Sequence, residues 1–344
     1  MKTSRAVLFA LLTAPFALPL SASAYDRIYA FGDSLSDDGN LYSLTGNLYP
    51  PVPYFEGRLS NGITAVEYLA DMLGAGLSNF AVAGARTGTP VGGGSDNFID
   101  DDDSLFPPNF FNGTGVIAQV NGYLGASGGT ASASDLYFIW AGPNDYFLLS
   151  EATPGSVDPQ DYVTNAIGNL YTSVTTLYAA GAKNFLIPNL PNLGLVPELA
   201  DDDPFISLVA TQISLGHNAA LADLLASLDA ALPDASFFTA DTFALTTAAN
   251  ADPQAFGFTN ATDACVESVS CVDGNGAGYL FWDGVHITTA AHQQVAAAFA
   301  SALAPVPEAQ TWAMLLAGLG LISVAGGLRA SRVPAHTGAL REAT

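Results

Sequence analysis

Between residues 25 and 305, short apolar runs alternate with longer amphipathic stretches. Residues 27–31 (RIYAF), 135–140 (DLYFIW) and 183–187 (KNFLI) are nearly continuous apolar runs rich in β-forming side chains, the pattern of strands buried on both faces. Residues 236–239 repeat it more weakly, and 77–82 predict one further strand. Between them, residues 64–73, 161–180, 204–232 and 287–304 space apolar positions three and four apart, which predicts helices with one packed face. In the first of these, Ala65, Tyr68, Leu69 and Met72 share that face. Strands separated by helices at this pitch predict an α/β fold, a central parallel sheet with helices on both sides. Ligands of such sheets bind beyond the carboxyl ends of the strands. Two Gly/Pro/Asn-rich regions, 41–59 and 87–114, interrupt the pattern as loops. They are expected either to wall a substrate cleft or to be passive surface.

Both ends of the chain break this rhythm. Lys2 and Arg5 precede an apolar stretch, 6–20, interrupted by Pro15 and Pro19, and Ala22-Ser23-Ala24 follows with small residues at the spacing signal peptidase cuts. Residues 1–24 are therefore expected to be a secretory signal, leaving a mature chain that starts at Tyr25. At the other end, residues 312–328 (WAMLLAGLGLISVAGGL) carry no charge and are just long enough to cross a bilayer. Val306-Pro307-Glu308 stands before this segment and Arg329 and Arg332 after it, so residues 306–332 resemble the PEP-CTERM sorting signal of Gram-negative bacteria. They depart from it at Ala309, where the signal carries Pro, and in the trailing tail, 333–344. The resemblance implies transient membrane anchoring through 312–328, processing by an exosortase-like enzyme, and release or attachment at the cell surface. A simple C-terminal membrane anchor is the other reading. Residues 25–305 remain as one sizeable domain.

Charge narrows the partners. The domain holds four cations, Arg27, Arg58, Arg86 and Lys183, against thirty carboxylates, about −26 in all. Such a surface repels nucleic acid and anionic membranes. The acidic runs at 100–103 and 201–203 match no calcium-loop spacing and read as solvated loops. Cys265 and Cys271 are the two cysteines. On the exported side of a signal they are expected to pair as a local disulfide, with two free thiols as the alternative. No third cysteine or nearby histidine suggests a zinc site.

Four segments carry candidate chemistry. Phe31-Gly32-Asp33-Ser34-Leu35-Ser36-Asp37-Asp38-Gly39-Asn40 comes directly off the first strand, where a serine Oγ is exposed at the rim of the sheet. Taken alone, that turn also suits an ordinary helix cap. A serine becomes nucleophilic only beside a base. Of the four histidines, His336 lies beyond the sorting segment and His217 and His292 sit inside helical patterns. His286 lies in Phe281-Trp282-Asp283-Gly284-Val285-His286, a turn just before the last helix. An aspartate three residues ahead of it can accept the Nδ1 proton and leave Nε2 to deprotonate the serine. Gly142-Pro143-Asn144-Asp145 and Asn79-Phe80-Ala81-Val82-Ala83-Gly84-Ala85 follow two further strands and offer an amide and a backbone N–H as oxyanion donors. An Asx-turn and a plain turn glycine are the bland readings of Asn144 and Gly84.

In this order, all at strand ends, the four segments resemble the four blocks of the GDSL/SGNH hydrolases, over essentially residues 27–304. FGDSLSDDGN, GRLSNG (57–62) and FWDGVHITTAAH (281–292) resemble the secreted bacterial branch of its lipases and esterases. Two positions depart: Ile287, where relatives usually carry Pro, and Ala83, where many carry a second Gly. The resemblance implies a three-layer α/β/α, flavodoxin-like fold. It implies Ser34 as nucleophile, His286 as base and Asp283 as its orienting acid. Ser34 N–H, Gly84 N–H and the Asn144 amide would form the oxyanion hole, with no cofactor and no metal. The expected function is an exported serine esterase or lipase acting on a small-molecule, lipid or sugar ester. An O-acetyl esterase acting on exopolysaccharide and a lipid acyltransferase are alternatives, and a non-catalytic surface scaffold is the reading from a different class.

Overall fold

In a computed structural model that describes residues 25–100, 106–147, 149, 158–200 and 204–304, five strands run parallel in one sheet. They are β1 (Arg27–Gly32), β2 (Gly76–Asn79), β3 (Leu136–Trp140), β4 (Asn184–Leu186) and β5 (Ser236–Phe238), in the order β2-β1-β3-β4-β5. Ile28 pairs with Leu77 on one side and with Leu136 on the other. The expected leader (1–24), the expected sorting segment (306–332) with its expected span at 312–328, the tail (333–344) and the acidic residues 101–103 and 201–203 lie outside the described residues.

Strand β3 shows why the sheet sits in the middle. All five of its residues are buried, and they alternate. Leu136, Phe138 and Trp140 point to one layer, with Ile28, Ala30 and Leu186. Helices α1 (Ala65–Leu73) and α6 (Thr289–Leu303) cover that face through Val66, Leu69, Val295 and Phe299. Tyr137 and Ile139 point to the other layer, with Phe31 and Phe185. That face is covered by α2 (Val116–Ala126), α3 (Pro159–Ala180) and α4 (Pro204–Ala231) through Val120, Val174, Leu177, Leu221 and Leu225. The result is the three-layer α/β/α arrangement with flavodoxin-like strand order.

Local signals set the element ends. Thr64 and Glu67 form a reciprocal capping box at the start of α1, with the Thr64 N–H donating to Glu67 Oε2 at 2.8 Å. Asp158 caps α3 by accepting the Gln160 N–H, so this helix starts before the expected 161. The last helix starts later than expected, at Thr289, because Ile287 forms an antiparallel bridge with Phe281. The strand expected at 77–82 ends at Asn79. There the Asn40 amide takes the carbonyls of Asn79 and Ala81, turning the chain out of the ladder.

Several elements were not anticipated. Helix α2 spaces Val116, Val120 and Tyr123 four and three apart but lies in a stretch broken by Gly115, Gly122 and Gly125, and α5 (Thr242–Ala251) is built largely of Thr and Ala. A second, two-stranded parallel sheet pairs β6 (Asn260–Ala264) with β7 (Tyr279–Phe281), the strand that delivers Trp282 and Asp283 to the rim. Cys265 and Cys271 are joined by a disulfide beneath Trp282.

Candidate active site

The strand order reverses between β1 and β3, and a crevice opens there beyond their carboxyl ends. Ser34 stands two residues past β1, at the head of a turn closed by the Ser36 and Asp37 N–H groups on the Asp33 carbonyl, both at 3.0 Å. His286 arrives from the opposite side, on the turn between β7 and α6. Its Nε2 lies 2.8 Å from Ser34 Oγ. Its Nδ1 faces the Asp283 carboxylate, 2.9 Å from Oδ1 and 2.8 Å from Oδ2. Asp283 is itself fixed, since Oδ1 accepts the backbone N–H groups of Val285 at 2.9 Å and His286 at 2.7 Å. The turn Asp283-Gly284-Val285-His286 thus curls so that one carboxylate holds both the backbone and the ring of the histidine.

Electrostatics follow from this packing. Burial by itself would lower the His286 pKa, but the Asp283 carboxylate beside it prevails and holds it above the ordinary histidine value. Burial would raise Asp283, and its contact with His286 instead holds it below the ordinary carboxylate value. Asp33, directly before Ser34, is almost wholly buried, and burial pushes its pKa up to about 7. Its Oδ1 accepts the Leu35 N–H at 3.0 Å, while Oδ2 has no hydrogen-bond partner.

Gly84 and Asn144 are brought to the same crevice. Gly84 takes a left-handed conformation, φ 78°, and a Cβ there would collide with Asn97 Oδ1 and the Ile99 side chain, so no other residue fits. Asn144 sits in a short 3₁₀ turn after β3. Its Nδ2 donates one proton to the Ala85 carbonyl at 2.9 Å, and the amide has a second. The Asn144 carbonyl in turn accepts from Arg86 Nε at 3.2 Å, so the two candidate donors belong to one hydrogen-bonded unit.

Three residues that hold this unit together had no assigned role in the sequence. Asp37 Oδ1 accepts the N–H groups of Gly39 and Asn40, and Oδ2 those of Leu41 and Ala83. Burial pushes its pKa up to about 6 against the pull of those donors. Asp145 accepts the Thr87 N–H at 3.0 Å and its hydroxyl at 2.7 Å. Arg86 is fully buried and also donates to the Ser95 carbonyl at 2.8 Å. A signal for Arg86 was present: it is one of four cations in a strongly acidic domain. The two histidines read as ordinary are core residues. His217 Nδ1 bonds the Tyr146 hydroxyl at 2.7 Å, and His292 Nδ1 accepts the Ala65 N–H at 3.2 Å.

The crevice widens into a cavity of about 480 Å³. Tyr49 and Leu59 line it from the first long loop, and Phe98, Ile99 and Phe106 from the second, so both loops are walls. Trp140, Val285, Ile287 and Val295 complete a predominantly apolar lining. Among the described residues no group of three or more His, Cys, Asp or Glu is placed to hold a metal ion.

A family model described as GDSL-like Lipase/Acylhydrolase matches residues 28–299. The chain is similar to a thermolabile hemolysin of Vibrio parahaemolyticus, 28% identical over 79% of this chain and 62% of that one. It thus spans less than two thirds of the hemolysin's length. It is similar to a GDSL esterase/lipase of Arabidopsis thaliana, 27% identical over 76% of this chain and 78% of that one. A phosphatidylcholine-sterol acyltransferase of Aeromonas hydrophila is 28% identical over 71% of this chain and 67% of its own. Among solved structures, an alpha/beta hydrolase enzyme from the metagenome of Lake Arreo, Spain, matches with a TM-score of 0.43 at 13% identity, covering 82% of this chain and 97% of that one.

Proposed function

Since the chain belongs to the GDSL-like lipase/acylhydrolase family, we propose that it is an exported serine esterase, a carboxylic ester hydrolase for esters of apolar acyl chains. The observation that carries this reading is the 2.8 Å contact between Ser34 Oγ and His286 Nε2 at the floor of an apolar cavity. Ser34 Oγ attacks the ester carbonyl while His286 Nε2 takes its proton. The new C–O bond places negative charge on the carbonyl oxygen, which the Ser34 and Gly84 N–H groups and the second Asn144 amide proton receive. Asp283, ionised beside the ring, stabilises the imidazolium. His286 then returns the proton to the leaving alcohol as the ester bond breaks, leaving an acyl-enzyme. Water, deprotonated by the same Nε2, then attacks the acyl carbon; the bond from that carbon to Oγ breaks, the acid leaves, and the imidazolium returns the proton to Ser34 Oγ.

The apolar lining favours an acyl chain as the group it holds. Each buried methylene of an acyl chain gains roughly 0.8 kcal/mol, and aromatic and aliphatic walls reward it. A sugar O-acetyl group would leave most of such a lining uncovered. Acyl transfer to an alcohol is the second reading, favoured by the name of the Aeromonas relative. Export rests on the leader at 1–24, and surface delivery on the PEP-CTERM-like segment at 306–332 with its span at 312–328 and an exosortase-like processing enzyme. Both belong to the proposal.

The test is hydrolysis of a p-nitrophenyl ester series from acetate to palmitate, with fluorophosphonate labelling of the same preparation. Activity that rises beyond acetate, with labelling lost in Ser34→Ala, is the expected result. A Ser34→Ala variant that keeps more than a few per cent of the activity overturns the assignment. Activity confined to acetate moves the substrate to O-acetyl groups, and labelling without hydrolysis moves the reaction to transfer.

A further inference from the structure

Asp283 has a partner that the mechanism above does not use. The Tyr54 hydroxyl donates to Asp283 Oδ2 at 2.8 Å, across 229 residues of sequence. With two backbone N–H groups on Oδ1 and this hydroxyl on Oδ2, each carboxylate oxygen has a donor besides the His286 ring. Oδ2 is therefore held in place even though the backbone of its own turn reaches only Oδ1.

Tyr54 is itself placed with care. Its ring stands edge-on to Trp282, 6.3 Å between centroids at 84°, and packs in the small cluster formed by Trp282 and the Cys265–Cys271 disulfide. The loop that carries it is pinned by the Tyr54 N–H on the Pro51 carbonyl and by the Phe55 N–H on the Ser60 carbonyl. The same loop sends Tyr49 and Leu59 into the cavity wall, whereas Tyr54 does not line the cavity. One segment thus shapes the acyl wall with some side chains and grips the acid behind the base with another.

We propose that Tyr54 is a positioning residue for the Asp283–His286 pair, fixing the carboxylate against rotation and moderating its pull on the imidazolium. This rests on the reading of Ser34 and His286 as nucleophile and base. A hydroxyl bonded to a carboxylate disperses part of its charge, whichever state the histidine is in. Without it, the carboxylate would attract the imidazolium proton more strongly, and His286 would become harder to deprotonate. Burial and the adjacent Asp283 raise the Tyr54 pKa, so the hydroxyl keeps its proton as a donor across the working range. The other titratable groups that act on the site are Asp33 after β1, Glu198 in the short helix Pro197–Ala200, His292 on α6 and Tyr49 on the loop of Tyr54.

Tyr54→Phe tests this, since it deletes the hydroxyl and keeps the ring on Trp282. The pH profile of kcat/KM on p-nitrophenyl butyrate and the NMR titration of the His286 ring are measured side by side for wild type and variant. Expected are an acid limb and a His286 midpoint moved to higher pH by roughly 0.5 to 1 unit, and a kcat about fivefold lower with KM unchanged. A superimposable profile and midpoint overturns the proposal, as does a change in KM or thermal stability alone, which would make Tyr54 a wall or packing residue. Wild type that hydrolyses no ester overturns the Ser34 reading instead. The NMR midpoints still decide then whether Tyr54 acts on the histidine.

Discussion

The Asp37 carboxylate accepts the Ala83 backbone N–H at 2.8 Å, tying the turn that presents Ser34 to the turn that presents Gly84. The two turns follow different strands, β1 and β2, and belong to different motifs. A single buried carboxylate makes them one object, because the same group also gathers the N–H groups of Gly39, Asn40 and Leu41 at the start of the helix after the Ser34 turn. The proposed oxyanion site, assembled from two loops, needs such a tie, since donors displaced by an ångström lose much of their effect.

Asp37→Asn should therefore cost stability and rate together. The amide replaces one acceptor oxygen with a donor and leaves two buried N–H groups without a partner, a loss of about 2–4 kcal/mol. Urea unfolding should show that loss, and kcat should fall more than KM rises. A variant as stable as wild type would mean that the tie is dispensable.

His286→Ala removes the proposed base and should lower kcat by about 10²- to 10⁴-fold. Asp283→Asn should cost less, because an asparagine oxygen can still accept the N–H groups of Val285 and His286 and the Nδ1 proton. The negative charge that raises the His286 pKa would be gone. The proposed base acts only while His286 is neutral, so wild-type kcat/KM should fall as pH drops through a midpoint above 6.5. In Asp283→Asn that midpoint should move to lower pH. A shift the other way in the measured profile would show that Asp283 does not hold the imidazolium.

Asp33 makes stability depend on pH in a stated direction. Its folded pKa of about 7 exceeds the ordinary 3.8, so the fold carries no penalty from it below pH 3.8 and a growing one up to about 7. Asp33→Asn escapes ionisation. Relative to wild type, its stability should therefore improve between about pH 4 and pH 8, by at most about 4 kcal/mol. His217 and His292, lowered to about 3 by burial, impose the opposite slope on both proteins and cancel in the difference. Thermal melts of the pair at the two pH values measure it; a constant difference would place the Asp33 carboxyl in a wetter site than its burial indicates.

The Cys265–Cys271 disulfide closes a short loop, and its removal as the double alanine variant should cost about 2 kcal/mol on chain-entropy grounds. Because the bridge packs under Trp282 and Tyr54, kcat should fall as well. Unchanged kcat in a folded double variant, measured below its melting temperature, would confine the bridge to stability.

Much of this molecule is local. Periodicity along residues 27–31, 135–140 and 183–187 was enough to indicate strands, since a strand buried on both faces must be apolar throughout. The turn at Asp283 to His286 was equally legible, because an aspartate and a histidine three apart need only their own backbone to meet. Helices α2 and α5 were not: Gly115, Gly122 and Gly125 interrupt the stretch in which Val116, Val120 and Tyr123 share a face, and α5 is largely Thr and Ala, which leave little apolar face to read. His286 against Ser34, over 252 residues, was legible only through the resemblance of their two segments to a family's blocks, whereas Tyr54 on Asp283 over 229 and Asp37 on Ala83 over 46 were decided by the tertiary structure alone. Patterning constrains a residue by its chain neighbours, whereas a partner brought in by sheet order and loop closure leaves no periodic trace beside it.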